Sequence, residues 1–298
     1  MVVTRQKDYG CYIKPCDPRK PPLHGRDTFS FLPGEIKNEI FKYVLSETQE
    51  LNVRRQKDIW KLCVRDLESR KKLGTEWVEA NSLQYLNHQM RKDTKGLGMK
   101  YNIIYMSQQT GQDPSILATC VMFLHGIDTY WMQHLTKIVL HGSGTIEHFA
   151  EYNDNQTFYT DYYDHRSQWR LMRICAEFTG LTIEWANPRW RLCDTRSFCG
   201  FMSSGGLVSW AYRREIPLEW FMSDHEKMHA ICRWIGEDAP PAQPNFKVFP
   251  WDVTLNNAEV RFEKVMAQTT IFCMHHIPQS ARIEEWKEVA WNWFYNGV

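Results

Sequence analysis

Leu135–Leu140, LTKIVL, and Leu181–Trp185, LTIEW, read as two strands on either side of a helical stretch, Arg166–Phe178. Such short runs of apolar and β-branched side chains suit a pleated, half-buried surface. Strand, helix and strand in that order imply a crossover that returns the chain parallel to itself, because a tight hairpin can join only antiparallel neighbours. The unit sets the fold class as mixed α/β.

Ahead of these strands, Tyr101–Met106, YNIIYM, is a further strand candidate, and Pro114–Gly126 a helix with Ile116, Leu117, Cys120, Val121 and Leu124 at helical spacing. Between the first two strands, residues 151–165 are dense in Tyr152, Phe158, Tyr159, Tyr162 and Tyr163 with Asp154, Asp161 and Asp164. Tyr offers a broad rigid ring with a polar tip, so this reads as a recognition loop or as a loop packed back on its own sheet. Ser203–Gly206, SSGG, reads as a turn, since neither G-x-x-x-x-G-K-(S/T) nor G-x-G-x-x-G is there to cradle a phosphate. Residues 239–244, APPAQP, form a Pro-rich linker, and 99–238 before it the α/β body. The C-terminal segment 245–298 holds a strand-like FKVFPW, a helix near 257–273 and a last helix near 281–295, whose apolar face of Ile283, Trp286, Val289, Ala290 and Trp293 is expected to pack on the body.

Upstream, residues 1–28 mix four prolines with Arg5, Lys7, Lys14, Arg19, Lys20 and Arg26, and read as a basic, irregular arm. Residues 46–80 are polar, with a basic excess over 54–72, and Ile59, Trp60, Cys63 and Leu67 recur near helical spacing. The expectation there is an amphipathic helix with a cationic outer face, ending near Gly74. Leu83, Leu86 and Met90 predict a further helix, closed by Gly96 and Gly98.

Phe31–Leu45, FLPGEIKNEIFKYVL, has the clearest helix start in the chain. Pro33 tolerates the first turn, where its missing N–H loses no bond, and Glu35 suits the positive end of the helix dipole. Ile36, Ile40 and Val44 repeat every fourth residue, flanked by Phe41 and Leu45, with Lys37, Asn38, Glu39 and Lys42 opposite.

The chain of 298 residues is long enough for a substantial core, and its 43% hydrophobic and 24% charged residues are those of a globular protein. With 36 basic against 35 acidic residues there is no global field to draw in nucleic acid or an anionic membrane. A nucleic-acid role is therefore not expected, and no apolar run of bilayer length occurs. The nine cysteines are scattered without a C-x-x-C pair, and no signal-peptide pattern opens the chain. An intracellular, cytoplasmic or nuclear setting follows as the expectation.

The order Leu32, Pro33, Glu35, Ile36, Ile40, Phe41, Tyr43, Leu45 resembles the opening of an F-box, most closely that of fungal F-box-like proteins. In that group a second helix with a Leu-x-x-Asn-x-Gln-(Ile/Met)-Arg core follows, and Leu83, Leu86, Asn87, Gln89, Met90 and Arg91 are similar to it. The resemblance implies an F-box-like helical region at 29–98, interrupted by the insertion at 46–80. It also implies a body that could be degenerate leucine-rich-repeat-like, although no strict repeat period is visible. The implied activity is that of a non-enzymatic adaptor. Leu32, Pro33, Ile36, Ile40, Val44 and Leu45, with Leu86 and Met90 behind them, would dock on the Skp-type subunit of a cullin-RING ubiquitin ligase, and the body would hold an unknown protein substrate. An alternative is an interaction scaffold in which the same segment has become ordinary core. No cofactor is implied.

A competing reading comes from His225, Glu226 and His229, which spell H-E-x-x-H. On a helix this pattern sets two imidazoles on one face beside a carboxylate, as zinc peptidases require. Lys227 and Asp224 depart from the apolar surroundings such a helix normally has, and Glu237, Glu259 and Glu263 offer no distinctive third ligand. No G-x-S-x-G elbow marks a nucleophile.

Overall fold

The computed structural model describes residues 29, 31–47, 50–56, 59–65, 77–86, 88–108, 115–142, 157–187, 243–250, 258–273 and 283–298. Its centre is a seven-stranded sheet of β1 (Leu51–Gln56), β2 (Ile59–Arg65), β3 (Trp77–Glu79), β4 (Ile104–Ser107), β5 (Lys137–His141), β6 (Thr182–Asn187) and β7 (Phe246–Pro250), in the order β3-β2-β1-β4-β5-β6-β7. From β1 to β7 the neighbours are parallel, while β2 and β3 extend the sheet antiparallel. The mixed α/β class is therefore observed, and the predicted crossover is the β5–helix–β6 unit.

Register explains which face is core. Residues paired across a ladder point to the same side. One row runs Leu51, Ile104, Ile138, Ile183, Phe246 and the next Met106, Leu140, Trp185, Val248, and every member is buried. At about 1.5–3 kcal/mol for each fully buried aliphatic or aromatic side chain, these rows are the main stabilising feature of the sheet. The opposite face carries Asn52, Tyr105, Val139, Glu184 and Lys247, then Ser107, His141, Ala186 and Phe249. There Lys137 pairs with Glu184 at 2.7 Å, and the Tyr105 ring stacks on His141 with centroids 6.3 Å apart.

The helices supply the other half of the core. They are α1 (Gly34–Leu45), α2 (His88–Thr94), α3 (Leu97–Tyr101), α4 (Ile116–His125), α5 (Thr129–Met132), α6 (Thr157–Glu177), α7 (Ala258–Cys273) and α8 (Ile283–Asn296). Met99, Leu117, Met132, Leu171, Phe262 and Trp293, from α3 to α8, all join the cluster formed by the apolar rows of the sheet. The apolar rows of the sheet and these helices therefore share one core. In α4 the Ser115 hydroxyl caps the first turn by accepting from the Ala118 N–H at 3.2 Å, and six of its ten residues are buried. Phe262 of α7 stacks on Phe294 of α8 at 4.4 Å, and Val298 exchanges both backbone hydrogen bonds with Val248 of β7. The C-terminal segment is thus part of the sheet and its helical layer.

Several expectations are corrected. Residues 59–65 form a strand, because Trp60, Leu62 and Val64 pack toward the core while Lys61 and Cys63 lie on the other face, a period of two. The segment 29–98 is consequently not all helical: it contributes β1, β2 and β3 to the same sheet as the body, and β1 pairs directly with β4 across the expected boundary at 98/99. The expected helix around Leu83–Arg91 is split into a single 3-10 turn, Ser82–Tyr85, and α2. Gly96 does close α2, at φ 76°, where a Cβ would lie 2.3 Å from Trp131 Cδ2; Gly98 instead lies inside α3. Tyr101 belongs to α3, so the strand starts at Ile104. Residues 157–165 belong to α6, which removes them from the expected recognition loop. The basic arm, the SSGG turn, the H-E-x-x-H segment and residues 239–242 of the linker lie outside the described residues.

Candidate partner-binding site at the first helix

Pro33 is the N-cap of α1 at φ −52° and ψ 148°, and its carbonyl accepts from the Lys37 N–H at 3.1 Å. Glu35 in the first turn and Lys42 in the last complement the helix dipole. Beyond the end, the Ser46 N–H and hydroxyl both donate to the Lys42 carbonyl, satisfying a group the helix leaves open.

Two adjacent stripes of α1 have different fates. The inner stripe, Phe41 and Leu45, is buried, with Phe41 also meeting the Phe29 ring at 5.5 Å. α1 lies against α3. The joint is held by the buried Asn102, whose Nδ2 donates to the carbonyls of Leu45 and Gly98, both at 2.8 Å, and whose Oδ1 accepts from the Glu47 N–H at 2.7 Å. The outer stripe keeps its side chains in solvent: Ile36 is 48% exposed, Ile40 36%, Val44 46% and Tyr43 79%. Phe31, ahead of the helix, is 77% exposed. Scattered single apolar residues on a surface are ordinary, but a run at i, i+4, i+7 and i+8 on one helix is a continuous greasy strip.

Of the residues expected to dock, Ile36, Ile40 and Val44 therefore come together on one accessible strip, with Pro33 exposed at its start. Leu45 is corrected to a seat residue, since at 4% exposure it is consumed by the chain itself. Leu32 is half-buried and its N–H bonds the Phe29 carbonyl. Leu86 is exposed after the 3-10 turn and Met90 is half-buried in α2, whereas the helix that seats α1 is α3. Tyr43 and Phe31 were not expected in the strip; Tyr43 follows from helical spacing, seven residues after Ile36.

The remaining candidate chemistry is muted among the described residues. No group of three or more His, Cys, Asp or Glu there could hold a metal. Glu259 and Glu263 are exposed on α7, and Glu259 accepts a hydrogen bond from the Tyr295 hydroxyl. Cys63, Cys120 and Cys175 are buried free thiols, and burial pushes Cys175 up to about 12, so it is no nucleophile at neutral pH. Two described members of the expected cationic face, Lys61 and Arg54, are engaged locally. Lys61 bonds Glu79 at 3.2 Å, a contact that raises its pKa, and Arg54 lies over the Trp77 ring at 3.7 Å. No helix among the described residues is long and apolar enough to cross a membrane.

Comparison of the chain with protein-family models, with curated proteins and with solved structures gives no match.

Proposed function

We propose that the chain is a non-enzymatic adaptor that offers the outer strip of α1 to the Skp-type subunit of a cullin-RING ubiquitin ligase, with the α/β body carrying a protein substrate. The observation that carries this reading is the accessibility of Ile36, Ile40, Tyr43 and Val44 on a helix whose other apolar stripe is already seated on its own chain. The F-box-like order of residues in 31–45 names the partner. An amphipathic helix laid into an apolar groove is a recurrent recognition mode, with anchors at the spacing found here. Burying such side chains contributes about 1.5–3 kcal/mol each, gross, against several kcal/mol of lost translational and rotational freedom on association. The action is proximity: a substrate held on the body sits at high effective concentration beside the charged ubiquitin-transfer enzyme, and this chain performs no bond chemistry.

The burial of Leu45 and the union of β1, β2 and β3 with the body sheet favour one second reading, an interaction scaffold whose α1 meets a different partner. Purified full chain and Skp-type subunit separate the two. The adaptor reading expects a complex with the wild type and its loss in Ile40→Asp, with thermal unfolding unchanged within a few degrees. A wild type that fails to bind favours the scaffold.

A further inference from the structure

Behind α1, a recess of about 40 Å³ has Leu45, Leu51, Leu62, Asn81, Gly98 and Asn102 in its lining. Its walls are the end of the helix, the core face of β1 and β2, and the segments around α3. Most of the lining is apolar, but Asn81 Oδ1 is buried without a hydrogen-bond partner. The orientation of that amide is fixed by its other end. Asn81 Nδ2 donates to the Thr94 carbonyl at 3.3 Å and to Thr94 Oγ1 at 3.2 Å, while Thr94 Oγ1 spends its own hydrogen on the Met90 carbonyl at 2.7 Å. A flipped amide would set its oxygen against two acceptors, so Oδ1 must point away from Thr94.

A buried acceptor left dry is costly, and a single water needs only about 10–15 Å³ of such space together with polar partners. Asn102 of the lining can supply a second partner: its Oδ1 accepts from the Glu47 N–H and keeps a further lone pair. We propose that this recess is a binding site for ordered water, which donates to Asn81 Oδ1 and makes the seat of α1 a hydrated joint between helix and sheet. The site independently joins the β3 side of the sheet, through Asn81, to the loop that grips Leu45, through Asn102.

The test is a crystal structure of the full chain that shows ordered solvent. A water within about 3 Å of Asn81 Oδ1 inside the recess is expected. A dry recess, or Oδ1 bonded to a protein group, overturns the proposal. In solution, slowly exchanging water should give nuclear Overhauser contacts to the Leu45 and Leu62 methyls, and Gly98→Ala should abolish them. That substitution brings a Cβ to an ordinary 3.5 Å from Leu62 Cδ1, so the fold accommodates it while the added methyl occupies the water's space. Absence of the contacts in the wild type, or their persistence in Gly98→Ala, contradicts the proposal.

Discussion

α1 and α4 carry similar apolar side chains and use them differently. α4 turns Ile116, Leu117, Cys120, Val121, Phe123 and Leu124 into the core and leaves Met122 at the surface. α1 buries only Phe41 and Leu45 and leaves Ile36, Ile40, Tyr43 and Val44 in solvent. The cause lies in position. α4 spans the parallel sheet as a crossover between β4 and β5 and is covered by α6, whereas α1 precedes the first strand and rests on the short α3. A helix embedded in the α/β layer is consumed by it; a helix laid at its margin keeps a stripe to offer.

The largest effect expected from that contrast is in α4. Leu117→Ala removes a fully buried side chain and should cost about 2–5 kcal/mol in denaturant unfolding, whereas Ile36→Ala or Val44→Ala should cost about 0.5 kcal/mol or less. Equal losses at the two helices would break the comparison. Next comes the seat of α1: Asn102→Ala strips two carbonyls and one N–H of their partner and should cost about 1–3 kcal/mol, with hydrogen exchange of α1 rising more than that of α4.

The smallest effect concerns the sheet alone. Burial holds His141 below its ordinary value of 6.5, with the Glu50 charge opposing the shift and the Tyr105 ring stacked alongside. Because the folded pKa is lowered, the folded state takes up its proton later than the unfolded chain as pH falls. Its contribution is therefore complete above about 6.5 and declines toward the folded pKa, by at most about 1.4 kcal/mol per pH unit. His141→Gln should flatten this component as pH falls below about 6.5, without altering binding through α1. A pH slope unchanged by the substitution would place the titration elsewhere.

The parallel body was legible because its units are long and their periods clean: the helix at 114–126 is observed at Ile116–His125, and the strand at 181–185 at Thr182–Asn187. The hairpin was not, because Ile59, Trp60, Cys63 and Leu67 also fit a helical spacing, and a run of charged neighbours hides the alternation of Trp60, Leu62 and Val64. The stripe of Ile36, Ile40 and Val44 could be read from the chain, but not which neighbouring stripe would be spent on α3, since Leu45 and Val44 are both aliphatic and sit one position apart around the helix. Single polar residues that tie elements together leave no periodic trace. Asn102 is one. Asn245 is another, donating to the carbonyls of Cys175, Phe178 and Leu181 from just beyond the Pro-rich stretch.

The most direct measurement of the central claim is methyl NMR of the full chain titrated with the Skp-type subunit. The account predicts saturable shifts at the Ile36 and Ile40 methyls, with Ile104 and Ile138, buried in the sheet, unmoved. Shifts confined to other residues, or none at saturating partner, would contradict it.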